Sequence, residues 1–202
     1  MNNIVFDFST MHKYGSAFYE FLQLRKQVFV EDLEWDVPHN DTVEMDQYDN
    51  PTAFYSLVVD HGKVVAGARV MPTTARWGNN SYMLRDAALG RLPDIPCNLP
   101  VGTLEDPQVW EVTRLAISDQ ILSKEKRSRC LSMMMDGMLE VAGNNGGTRL
   151  ISLSPILMRR TLRMLGYFAE QVGDAYADKD DGRKYAVLSL AVDQPVYTSV
   201  AA

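Results

Sequence analysis

Residues 109–117, VWEVTRLAI, decide how the chain is read. Val, Trp, Thr, Leu and Ile fit a pleated, half-buried surface, so the stretch predicts a strand. Glu111 and Arg114 interrupt it. A buried charge without a partner is costly, so each must be paired, hydrogen-bonded or turned towards a site. Three residues apart, they point to opposite faces of a regular strand. Either they serve two surfaces, or a bulge re-aims one of them.

The flanking sequence extends this reading in both directions. Residues 121–143 have helical spacing, are rich in Met and are ended by Asn144–Gly147. RLISLS, residues 149–154, is a short strand; Ser154 and Pro155 then read as the N-cap and first position of a helix that Gly166 stops. AEQVGDAYA and KYAVLSLAV read as final strands around an Asp-rich turn at 178–182. Upstream, AFYSLVVD and KVVAGARVM flank Asp60-His61-Gly62 as an antiparallel hairpin. Residues 16–31 read as a helix capped by Ser16, residues 32–52 as an ordered loop, and residues 73–108 as a long irregular stretch hiding short helices. Three strands followed by a strand–helix alternation imply an α/β fold whose mixed, mostly antiparallel sheet is flanked by helices. That order is similar to the acyltransferase fold shared with the GNAT N-acetyltransferases. With no repeat and no clear linker, residues 1–202 are expected to form a single domain.

Composition narrows the function. The 202 residues are 46% hydrophobic and 23% charged, and the net charge of −6 argues against non-specific nucleic-acid binding. Cys97 and Cys130 form no CxxC pair and no His/Cys cluster accompanies them, so no metal site is expected. MNNIVFDFST has no basic region leading into an apolar run, and no window approaches the roughly 18 to 20 apolar residues of a membrane span. A cytoplasmic protein with reduced thiols, off the membrane, is expected.

Charged and aromatic residues stand where a plain surface is awkward. Arg25 shares a helix face with Phe29, Trp35 follows that helix, Asp46 and Asp49 bracket Tyr48, and Arg69 shares a strand face with Val65 and Met71. Taken singly, each has an ordinary explanation: a snorkelling Arg, a core Trp, turn-forming Asp residues, an Arg69–Glu111 ion pair.

Taken together, LRKQVFV, LEWDVP, EMDQYD, VAGARVMPTT, SYML and WEVTRLAI resemble the signature blocks of the acyl-homoserine-lactone synthases, the LuxI-type autoinducer synthases of quorum sensing. The resemblance runs from about residue 20 to about residue 170. It implies an enzyme that joins S-adenosylmethionine (SAM), as substrate, to an acyl chain from acyl carrier protein or coenzyme A. The SAM amine attacks the thioester; the carboxylate then attacks the γ-carbon, closing the lactone and expelling methylthioadenosine. It also implies that Arg25, Phe29, Trp35, Asp46, Asp49, Arg69, Glu111 and Arg114 occupy invariant positions. No cofactor is implied, and a monomer is expected.

The chemistry suits those assignments. Two Asp match an ammonium, Phe29 and Trp35 attract a sulfonium, and Arg25 or Arg69 can grip a carboxylate. Glu111, among apolar neighbours, is the expected proton acceptor, with Arg114 bracing the Asp-bearing loop. Ser152, Ser154, Leu157 and Leu162 are the expected acyl-pocket residues. Lys124, Lys126, Arg127 and Arg129 are the expected docking patch for an acidic carrier protein, and Arg159, Arg160 and Arg163 form a second basic group. Two other readings fit the fold: a GNAT-type acyltransferase acting on another amine, and a catalytically silent acyl-binding homologue.

Overall fold

The computed structural model describes residues 1–178 and 181–193. Seven strands form one sheet: β1 (Asn2–Asp7), β2 (Phe54–Asp60), β3 (Lys63–Pro72), β4 (Val109–Ile117), β5 (Arg149–Pro155), β6 (Glu170–Ala177) and β7 (Lys184–Ala191). Their order is β1-β2-β3-β4-β5-β7-β6, and every neighbouring pair is antiparallel except β4–β5. The mixed sheet flanked by helices is therefore as expected, with β1 an addition. NNIVFD forms a strand because it pairs residue by residue with β2, a partner more than fifty residues away.

Two helices cover opposite faces. α1 (Ala17–Arg25) packs on β3, and α3 (Lys124–Asn144) packs on β1, β2 and β3. Side-chain alternation serves both. In β3, Ala66, Ala68 and Val70 join the core with Met134 and Met138 of α3, while Met71 faces the α1 side with Phe21, Tyr55 and Leu57. Gly67 permits that approach, because a Cβ there would lie 2.5 Å from Leu57 Cδ2 and 2.6 Å from the Phe21 ring. The β2–β3 turn uses His61 and Gly62 at φ 49° and 79°, the two positive φ values that a tight hairpin matching strand twist requires.

Two local expectations are corrected. The helix expected over 16–31 is α-helical only to Arg25; Lys26–Asp32 is π-helical, closed by a Leu33 N–H to Val28 C=O bond of 3.1 Å. Such a wide turn redirects side chains and is common at functional sites. Pro155, not Ser154, is the N-cap of α4 (Ile156–Met164), so Ser154 belongs to β5. The irregular 73–108 stretch does hold one short helix, α2 (Met83–Ala88). Of the Asp-rich turn, residues 179–180 lie outside the described residues.

β4 and β5 set up the site. They pair only at Val109–Glu111 with Arg149–Ile151. Beyond that point both strands line one cavity, through Val112–Leu115 and Ser152–Pro155. On its other edge β4 carries an extra residue: Gly67 faces Ala116 and Arg69 faces Thr113, so three steps in β4 match two in β3. Arg114 lies within this bulge at φ 55°.

Candidate active site

The bulge answers the question posed by VWEVTRLAI. Arg114 is re-aimed to the face that carries Arg69, and six side chains, all but Arg114 buried, close there into a ring of alternating charge. Arg25 Nε donates to Glu44 at 2.5 Å, and Arg114 Nε donates to the other Glu44 oxygen at 3.2 Å. Arg114 Nη2 lies 2.9 Å from Asp46. Asp46 takes a two-pronged contact from Arg69 at 2.5 and 3.1 Å. Arg69 Nη1 lies 2.9 Å from Asp49, and Asp49 accepts from Arg25 Nη1 at 2.7 Å. Three cations and three anions cancel, and each touches at least two partners of opposite sign, Arg25 and Asp46 also meeting each other at 3.9 Å, which is how burial of so many charges is tolerated. The Tyr55 hydroxyl and the Asp46 N–H donate to Asp49, and Thr113 accepts from Arg69 Nε.

The ring sets its own protonation. Burial alone would raise the pKa of Asp46, but Arg69 and Arg114 outweigh it and hold the group far below the usual carboxylate range. Asp49 is likewise lowered, by Arg69 and Arg25 against burial. Both stay ionised at any physiological pH and are poor proton acceptors.

Glu111 differs. It is 1% exposed and belongs to no part of the ring. Its two oxygens accept the N–H groups of Met83 and Leu84, each at 2.8 Å, and so cap the start of α2. Burial raises its pKa to about 7, and the two N–H bonds offset only part of that rise. α2 is tied down a second time where Tyr48 Oη donates to Asp86 at 3.0 Å.

The cavity between the splayed strands has a volume of about 790 Å³. One end is aromatic and charged. Phe29 and Trp35 stack there with centroids 5.2 Å apart, and the Arg114 guanidinium lies 5.5 Å from the Phe29 ring centre. Asp46, Tyr48, Met83 and Arg114 complete that wall. The other end is apolar, walled by Met135, Leu150, Met158, Leu162, Ala169 and Leu188. Ser152 and Ser154 also line the cavity, their hydroxyls 2.9 Å apart.

Several expected site residues take other places. Arg25, Asp49, Arg69 and Glu111 do not line the cavity; they stand behind its wall. Of the three ring arginines, Arg114 is the one on the wall, and Arg25 and Arg69 are not. Leu157 is not a pocket residue: it is 73% exposed, because α4 turns Met158 and Leu162, four apart, inward and leaves Leu157 outside. Lys124, Lys126, Arg127 and Arg129 are exposed on the first turns of α3, where Ser123 caps Lys126 N–H at 3.4 Å. The Arg127 guanidinium is partly committed to the carbonyls of Ser118 and Ile121. Glu44 was missed. Its signal was charge balance: with Glu111 set aside for acid–base work, three arginines faced two aspartates, and EMDQYD opens with a third acid.

Comparison with known proteins agrees with this architecture. The model of the autoinducer synthase family matches residues 9–198. An acyl-homoserine-lactone synthase of Ralstonia solanacearum is 33% identical over 153 residues, covering 74% of this chain and 70% of that protein. Another, from Acinetobacter nosocomialis, is 30% identical over 179 residues, covering 85% and 90%. The crystal structure of TofI in a ternary complex with an inhibitor and MTA is similar with a TM-score of 0.71 at 26% identity, covering 96% of this chain and 92% of that one. By sequence and by fold, this chain belongs to the autoinducer synthase family, whose curated relatives are acyl-homoserine-lactone synthases.

Proposed function

We propose that this chain acylates SAM and closes the product to an acyl-homoserine lactone, releasing methylthioadenosine. The observation that carries the reading is one cavity with two unlike ends: an ionic, aromatic end at Asp46, Arg114, Phe29 and Trp35, and an apolar end at Met135, Leu150, Met158 and Leu162. SAM combines an ammonium, a carboxylate and a sulfonium, and the first end offers a counterpart to each. Arg25, Asp49 and Arg69 serve SAM indirectly, by fixing Asp46 and Arg114. The second end takes the acyl chain, which enters between the splayed strands β4 and β5.

The reaction needs a free amine. Asp46 attracts the ammonium but is too acidic to keep its proton. Glu111 takes the proton: with a pKa of about 7 it is half ionised at neutral pH, where general-base work is most effective. Glu111 itself stands behind the wall, so the proton reaches it through a water admitted beside Met83, whose N–H Glu111 holds and which lines the cavity. The amine then attacks the thioester carbonyl and the carrier thiol leaves. Arg114 afterwards orients the SAM carboxylate towards the γ-carbon, and C–S cleavage expels methylthioadenosine. The donor is acyl carrier protein, supported by the basic first turns of α3 and by the absence of a Gly-rich pyrophosphate loop between residues 117 and 130. The chain acts as a cytoplasmic monomer and as a single domain.

The test supplies purified protein with SAM and a panel of acyl-carrier proteins and acyl-coenzyme A thioesters, and follows the products by mass spectrometry. Acyl-homoserine lactone and methylthioadenosine should appear in equal amounts. An acylated amine formed with no methylthioadenosine would instead indicate a GNAT-type acyltransferase. Tight acyl binding without turnover would indicate a silent homologue.

A further inference from the structure

We infer that Asp181, in the turn between β6 and β7, is a positioning residue for the SAM sulfonium: it fixes Tyr185 and Trp35, so that the indole keeps its place on the cavity wall. The inference rests on the proposed reading, in which Phe29 and Trp35 take that sulfonium. Trp35 has little on its own loop to hold it. Glu34 and Asp36 on either side are exposed, and Glu34 stands at φ 55°. The Trp35 N–H donates to the Phe29 carbonyl at 2.8 Å, which fixes the backbone but not the ring. Phe29 stacks on the indole from the preceding turn, and the second ring against it is that of Tyr185, with centroids 6.5 Å apart at 59°.

Tyr185 lies opposite Pro155 of β5 and Tyr176 of β6, so its backbone is held on both sides. It is buried and lines the same cavity as Trp35. Its ring stacks on Tyr176 at 6.1 Å, and its hydroxyl donates to Asp181 at 2.7 Å. Asp181 is anchored within its turn: it accepts the Arg183 N–H at 2.8 Å, and its own N–H donates to Asp178 at 3.2 Å. It does not line the cavity, and its side chain is 10% exposed. Burial alone would raise its pKa, but the Tyr185 hydroxyl, Arg183 and the Trp35 indole N–H outweigh burial and leave the pKa lowered. One ionised carboxylate behind the wall thus holds both the phenol and the indole. A cation gains from Trp when it lies over the ring face, within about 6 Å of the centre. Without Asp181 the buried phenol loses its acceptor, and a buried hydroxyl left unpaired costs enough to shift the ring. The indole is then braced only from the Phe29 side.

The experiment measures, by calorimetry, the Kd of wild type, Asp181→Ala and Tyr185→Phe for SAM and for S-adenosylhomocysteine, which has a neutral sulfur in place of the sulfonium, with thermal unfolding alongside. In both variants the Kd for SAM should rise by about three- to thirtyfold, the range that a cation–π contact contributes, while that for S-adenosylhomocysteine stays within about twofold. The double variant should lose no more than the worse single variant, because the two groups act as a unit. A purely structural role predicts lower thermal stability and an equal loss for both ligands, and that result would overturn the proposal. Unchanged SAM affinity in both variants would do the same. Should Asp181→Ala fail to fold, Tyr185→Phe, which keeps the ring and removes the hydroxyl, decides between these outcomes. Calorimetry needs no turnover, so the inference is read even if wild type releases no methylthioadenosine, the result that would defeat the proposed function. A wild type that makes both products but binds the two ligands equally well overturns the inference alone.

Discussion

Burial pushes the pKa of each of these carboxylates upward, and what surrounds each one decides the direction of the net shift. Asp46 and Asp49 are buried against arginines, and charge attraction outweighs desolvation. Glu111 is buried against backbone N–H groups, which carry only partial charge, and desolvation wins. The sign of its linkage follows. From pH 4.5 to about 7 the folded chain holds a proton at Glu111 that the unfolded chain has lost. Stability therefore falls as pH rises across that window, by at most about 3 kcal/mol from this group. Glu111→Gln should lower kcat by about 10²- to 10⁴-fold, the usual contribution of one general base. It should also remove the limb of the pH–rate profile near 7 and flatten the dependence of stability on pH between 5 and 7. Steady-state rates and urea denaturation across that range check both. Turnover within about threefold of wild type would show that Glu111 only caps α2.

At the scale of elements, two irregularities make the cavity. The extra residue in β4 turns Arg114 to the ring, and the early end of β4–β5 pairing opens the sheet. α4 then closes the apolar end with Met158 and Leu162 while Leu157 faces solvent. A change at Leu162 should consequently alter which acyl chains fit, and a change at Leu157 should not. Leu162→Trp adds bulk to the cavity wall and should shift the products towards shorter chains. Overpacking of a well-filled wall costs about 1–3 kcal/mol, so the variant is expected to fold with reduced stability. Leu157→Ser should leave the product distribution as it is. Mass spectrometry of the lactones from each variant distinguishes these outcomes; an unchanged distribution in Leu162→Trp would remove α4 from the acyl site.

Over the whole molecule, charge is unevenly spread. The net charge is −6, yet Lys124, Lys126, Arg127 and Arg129 crowd the first turns of α3 with Glu125 the only acid among them. An acidic carrier protein steered by this patch should show a KM that rises with salt, because exposed charges are screened over roughly 8 Å at physiological ionic strength. Reversing Lys124 and Lys126 to Glu should raise the KM for acyl-carrier protein and leave that for SAM nearly unchanged. An acyl-coenzyme A donor, lacking the acidic protein surface, should respond less. Wild-type KM for acyl-carrier protein in low salt would reduce the cluster to a solvated helix face. The described residues contain no helix long and apolar enough to cross a membrane.

Most of the strand and helix order was legible, because periodicity and turn chemistry are local: Asp60-His61-Gly62 marks its hairpin, and Gly166 stops α4 wherever they occur. The family was legible too, since six short blocks carry it. What remained hidden depends on distant partners. NNIVFD is a strand only because β2 is there to pair with it. The spacing of Glu111 and Arg114 left a bulge as one of two readings and could not choose it, as a non-glycine residue is held at positive φ by the ion pairs it makes, not by its own preference. Glu44 is an ordinary loop acid until folding brings it to Arg25, 19 residues away, and to Arg114, 70 residues away. Sequence alone determined which charges the site contains. Tertiary structure alone decided which of them face the ligand, because only the closed ring neutralises four of its members behind the wall and leaves Asp46 and Arg114 at the surface of the cavity.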